Sequence, residues 1–196
     1  MGEIKSAFEK AMEKVEKLGK PSREELLRWK YVPEGQKLAA DYLRGDANLA
    51  GELHRYGDEE RHLVIEGVEE ILLRSIGLPV HEAAKRNNKR AMDGIKAIKR
   101  DKGALENVYT TMRRVFEHYE REGERQRAQA YESLKQSFQA RIQQVMQRQG
   151  GLPPGTTVNV ETQPQFQDEW RRLQAQIDSQ YHKLLDEYKQ EIAGIR

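Results

Sequence analysis

The sequence contains no cysteine. Disulfides, thiolate nucleophiles and Cys-ligated zinc are excluded with it. No run approaches the roughly 18 apolar residues that a membrane-spanning helix needs. The first residues, Met1-Gly2-Glu3-Ile4-Lys5, lack an apolar stretch, which predicts no secretory signal. Six prolines and fifteen glycines among 196 residues are few for a loop-rich or all-β chain. Leu, Ile, Val and Phe together number 41 of 196, little above the level that accompanies disorder. Disorder also requires a large net charge, whereas 34 basic and 32 acidic residues leave +2. The expectation is a charge-rich cytoplasmic protein whose helices each bury one narrow stripe.

Catalytic signatures are missing too. There is no Gly-x-Ser-x-Gly, and the six serines fall in helical or capping contexts. No Gly-Lys-Ser/Thr occurs, and Pro153 and Pro154 strip the glycine-rich stretch 150–155 of amides that would cradle a phosphate. Carboxylate pairs abound, but on exposed helices they have no desolvated cleft to tune them. One Glu-x-x-His is present, Glu59 to His62, and His54, Asp58 and His62 share a helical face. A di-metal bundle needs a second such motif, and none follows, so neither a metal nor another cofactor is expected. The sequence predicts a protein that is not an enzyme.

Helical periodicity is what the chain does have. Ile4, Phe8, Ala11, Val15 and Leu18 step as a heptad, and Gly19 and Pro21 stop it. Ser22 and Glu25 form a capping box for a short helix that should yield before Pro33. A second short helix is expected from 34 to 44, closed by Gly45. Asp46 then caps a helix over 47–76, and others follow over 80–102 and 104–149, with Gly103 as a boundary and Gly123 as a bend or edge. Residues 156–162 (TTVNVET) read as extended. Pro164 opens a last helix whose stripe runs Phe166, Trp170, Leu173, Ile177, Tyr181, Leu184, Tyr188, Ile192, Ile195.

The fold expected is all-α: an elongated bundle with a long, antiparallel, coiled-coil-like hairpin in its C-terminal half. Residues 1–103 should form four to five helices. Residues 104–196 should form the hairpin, with an extended connector at 150–163. In outline such a hairpin is similar to coiled-coil chaperones and adaptors, a likeness of shape that carries no residue across.

Charge is unevenly placed. Residues 1–80 carry 13 basic and 16 acidic groups, residues 81–150 carry 16 and 9, and residues 151–196 carry 5 and 7. In the basic middle, Lys85, Arg86, Lys89, Arg90, Lys96, Lys99 and Arg100 share one half of a helix, with only Glu82 and Asp93 among them. Such a face contacts nucleic-acid phosphates or an acidic partner, unless acidic helices of 1–80 neutralise it. Its apolar side lacks Trp, Phe and Leu, which argues against a membrane. The second candidate is the hairpin tip, where Leu152, Val158 and Val160 could pair with a partner's sheet edge. The primary expectation is a scaffold or adaptor, homo-oligomeric, binding protein through helix faces. The alternative is a nucleic-acid- or ribosome-associated factor using the 85–100 face.

Overall fold

A computed structural model describes residues 21–148 and 159–196, and they form an all-α fold in two compact units that divide after Leu73. No strand occurs among the described residues, and none of their helices is long and apolar enough to cross a membrane. The expected heptad helix at 4–18 lies outside the described residues.

In the first unit, α1 spans Arg23–Arg44. Its start is the expected capping box: the Glu25 amide donates to Ser22 Oγ at 3.1 Å, and the Ser22 amide to Glu25 Oε2 at 2.7 Å. Its end is Gly45, at φ 103°, whose amide satisfies the carbonyls of Asp41 and Tyr42. The expected break at Pro33 does not occur. Pro33 sits exposed inside one continuous helix, at the cost of one backbone hydrogen bond. Tertiary packing carries the helix through. Gly35 lies so close to the Val64 carbonyl that a Cβ would overlap it, and Gly67 meets the Val32 carbonyl in the same way. Paired small residues thus let α1 cross the third helix at backbone contact. Arg28 with Glu66, and Arg23 with Glu59, tie the same two helices at the surface.

The expected helix at 47–76 is two. Asn48, not Asp46, caps the short α2 (Leu49–Leu53), accepting from the amides of Ala50 and Gly51. After a break at 54–57, α3 runs Asp58–Ser75 with Asp58, Glu59 and Glu60 in its first turn, where carboxylates suit the helix dipole. The Arg61 guanidinium fills the break, donating to the carbonyls of Leu53 at 3.1 Å and Tyr56 at 2.8 Å. Leu38, Ala39, Leu49, Leu53, Leu63, Val64, Val68 and Leu72 are buried.

In the second unit, α4 spans Glu82–Ile98 and α5 spans Lys102–His118. The α5 cap is Asp101, whose carboxylate accepts from the Ala104 amide at 2.9 Å, so Gly103 lies within the first turn. A π-helical turn, Tyr119–Gly123, joins α5 to α6 (Glu124–Arg148). A 3₁₀ turn, Val160–Thr162, precedes α7 (Pro164–Gly194), which has proline in its first turn as expected.

Helix α7 is antiparallel to α6. As α6 positions fall from Phe138 through Tyr131 to Arg127, their partners on α7 rise from Phe166 through Trp170 to Asp178. Edge-to-face rings at 5.0–5.4 Å make this seam, and Val160 closes its end against Phe138 and Phe166. Further along, α7 passes onto α5. With that change of neighbour the buried face shifts: Leu185 is buried, and Leu184, expected in the stripe, is 39% exposed. The steps Tyr181, Leu185, Tyr188, Ile192 keep the helical period. The end of α7 is held by the α4–α5 connector. The amides of Arg100 and Asp101 donate to the Arg196 carbonyl, and buried Lys99 donates to the Ile195 carbonyl at 2.6 Å.

Candidate interaction groove

Helix α4 starts on an unusual cap. His81 Nδ1 accepts from the Ala84 amide at 3.0 Å, which requires an unprotonated ring nitrogen. Ahead of it, buried Asn88 clamps the connector from α3: its amide donates to the Gly77 carbonyl at 2.7 Å and its carbonyl accepts from the Gly77 amide at 2.9 Å. Ala91 and Ile95 then face the interior of the unit with Leu105 and Met112 of α5. The Tyr109 hydroxyl donates to the Met92 carbonyl at 2.8 Å and fixes the spacing of the two helices.

A groove of about 420 Å³ runs along this pair. Half-buried Phe116, buried Met92, Tyr109 and Asn88, and Pro79 line it. Lys85, Lys89, Lys96 and Arg113 rise on the rim beside Asp93, Glu106 and Glu120. A second depression, about 550 Å³, shares Pro79, Lys85 and Glu120 with it and extends the same surface to exposed Val80 and to Glu124.

Most of the rim cations already have carboxylate partners from this unit. Lys85 reaches Glu82 at 2.8 Å and Glu120 at 2.5 Å, and hydrogen bonding to both holds its ammonium well above the ordinary lysine range. Arg113, at 2.5 Å, and Lys96, at 3.3 Å, share Glu106 and hold its carboxyl below the ordinary range. The ends of the groove therefore differ. At one, two carboxylates serve one ammonium; at the other, one carboxylate serves two cations. Lys89 stands exposed between them, with no ion pair among the described residues.

Of the seven basic residues singled out in the sequence, Lys85, Lys89 and Lys96 meet in the groove. Arg86 and Arg100 are exposed, and Arg90 is half-buried. Lys99 is 7% exposed and points its ammonium at the end of α7. Of the expected tip residues, Leu152 and Val158 lie outside the described residues, and Val160 is 4% exposed in the α6–α7 seam. The contributions of Tyr109, Arg113, Phe116 and Glu120 escaped the sequence reading. Their signal was there: α5 is amphipathic in the same sense as α4.

A second polar cluster surrounds the π-helical turn. His118 Nδ1 and the Tyr181 hydroxyl lie 2.9 Å apart, Arg127 pairs with Asp178 at 3.2 Å, and the Arg127 guanidinium covers the Tyr119 ring at 4.3 Å. Burial pushes both Tyr119 and Tyr181 hydroxyls up from their ordinary pKa. This cluster joins α5, α6 and α7 and is closed by its own partners. His54 and His62 are exposed, and Asp58 is paired with Arg61 at 3.2 Å. No group of three or more His, Asp or Glu among the described residues could hold a metal ion.

The chain belongs to DUF6657, a family of unknown function, whose model matches residues 50–194. No curated protein and no solved structure matches it.

Proposed function

We propose that this member of the family is a non-enzymatic helical scaffold or adaptor of the cytoplasm, acting through its helix faces as a homo-oligomer. One observation carries the reading. On the outer side of α1, Trp29 is 66% exposed and Leu26, three residues before it, 51% exposed. The two sit on one helical face, and tryptophan is the side chain most enriched at interface hot spots. A second copy of the chain is the occupant proposed for this face.

Sedimentation velocity of the full chain tests the oligomer. The expected result is a species larger than one chain that dissociates in Trp29→Ala while helicity is unchanged. A monomer at every concentration overturns it.

The alternative, a nucleic-acid- or ribosome-associated factor, draws support from exposed Arg86, Lys89 and Arg100. That support is thinner, because Glu82, Glu106 and Glu120 neutralise much of the face and would repel phosphates. Binding to duplex RNA that weakens steeply with salt would favour it.

A further inference from the structure

We infer that His81 is a pH-operated catch at the start of α4: neutral, it caps the helix; protonated, it releases the first turn. The device does not depend on what the chain binds.

The chemistry of the cap sets the direction. A backbone amide only donates, so the ring nitrogen that faces the Ala84 amide must carry a lone pair. Protonation fills that lone pair and sets one N–H against another. It also places a positive charge at the positive end of the α4 dipole. Histidine is the side chain that changes charge between about pH 5 and 8, whereas the usual capping residues keep an acceptor oxygen throughout that range. Asp101 is such a cap in the same unit, its carboxylate accepting from the Ala104 amide at 2.9 Å. His118 gives a second contrast. Its Nδ1 lies 2.9 Å from the Tyr181 hydroxyl, which can donate to a neutral ring or accept from a charged one. Protonation therefore breaks the His81 bond and spares that of His118.

The surroundings accommodate the charged ring. His81 shares the second depression with Glu82 and Lys85 of α4, Tyr119 and Glu120 of the π-helical turn, and Glu124 and Arg127 of α6. Three carboxylates against two cations favour an imidazolium there. His81 is exposed, so its ring can turn away from the cap without disturbing buried side chains. The turn that loses its cap is the one that carries Lys85, held between Glu82 at 2.8 Å and Glu120 at 2.5 Å. Uncapping thus loosens the tie between α4 and the π-helical turn.

NMR of the full chain between about pH 7.5 and about pH 5.5, where histidine titrates, tests this. The readouts are the His81 ring resonances and the protection of individual amides against exchange. As the His81 ring titrates, protection of the Ala84 amide should fall about fivefold, the factor equivalent to about 1 kcal/mol for a lost cap. Protection at Ala104 and in the later turns of α4 should stay constant. His81→Asn supplies an acceptor that does not titrate and should keep Ala84 protected across the range. His118→Gln should respond as the unsubstituted chain does. Constant protection of Ala84 through the ring titration overturns the inference. So does an equal fall in His81→Asn, an equal fall at Ala104, or loss of the response in His118→Gln.

Discussion

Asn88 shows how much one buried side chain decides. It is 4% exposed and makes both of its hydrogen bonds to Gly77, which ties the segment just before α4 to that helix. Truncation removes two hydrogen bonds to the half-buried Gly77 backbone, each contributing about 0.5–1.5 kcal/mol. Asn88→Ala should therefore lower unfolding stability in urea by about 1–3 kcal/mol. A loss under about 0.5 kcal/mol, the usual range for surface substitutions, would mean that water replaces the side chain. Neither this clamp nor the His81 cap was visible in the sequence, because Asn and His are ordinary helix-surface residues until a backbone meets them. The Ser22–Glu25 box was visible, because it is local and its spacing is fixed.

The carboxyls give the molecule its acid dependence. Bonding to Ser22 lowers the pKa of Glu25, bonding to Arg113 and Lys96 that of Glu106, and bonding to Lys135 that of Glu161. A carboxyl whose pKa is lower folded than unfolded stabilises the fold above its unfolded pKa. That contribution is lost as pH falls through the folded value. Stability should hold near neutrality and decline below about pH 4. Glu106→Gln should flatten part of that decline, measured as unfolding free energy against pH. An unchanged slope would show that Glu106 is bonded equally in the unfolded chain.

At the scale of the element, glycine substitutions should separate packing from propensity. Gly51 has open space around it, the nearest side-chain atom to an added Cβ being 3.9 Å away. Gly51→Ala should then gain up to about 1 kcal/mol from helix propensity. Gly35→Ala and Gly67→Ala gain the same propensity but force α1 from α3, and overpacking costs about 1–3 kcal/mol. The expected net is a loss at both, read from thermal or urea unfolding. A gain at either would mean that the two helices can separate freely.

The same crossing explains why α1 was misread. Pro33 is a valid local stop signal, but the helix it lies in is packed through Gly35 and Gly67 onto α3, a contact that the local sequence does not reveal. The stripe of α7 from Phe166 to Tyr181 was legible because apolar residues repeat along it at the helical period. The change from Leu184 to Leu185 was not, because it marks where α7 exchanges α6 for α5, a fact of topology. The groove was half legible for a related reason: the basic face lies on one helix, and its acidic partners arrive from α5 and the π-helical turn.

For the molecule as a whole, one tie is local in space and remote in sequence. Lys99, 7% exposed, donates to the Ile195 carbonyl across a separation of 96 residues. Lys99→Met keeps the packing volume and removes the donor. A hydrogen bond to a charged group contributes about 1.5–3 kcal/mol. Amide exchange in the last turn of α7 should therefore quicken about tenfold or more, with exchange in α6 unchanged. Equal quickening throughout the second unit would make Lys99 a determinant of global stability and not of that end alone.

That tie also fixes an order of events at synthesis. Translation at about 5–20 residues per second puts about 5–20 s between the making of Lys99 and of the carbonyl it holds. Over that interval α4 and α5 wait with Leu105 and Met112, both fully buried at the end, short of their final cover. Segments left open in this way are the ones that chaperones engage and that aggregate at high expression. Slowed translation past Lys99 should therefore reduce the yield of folded protein more than the same delay placed before it.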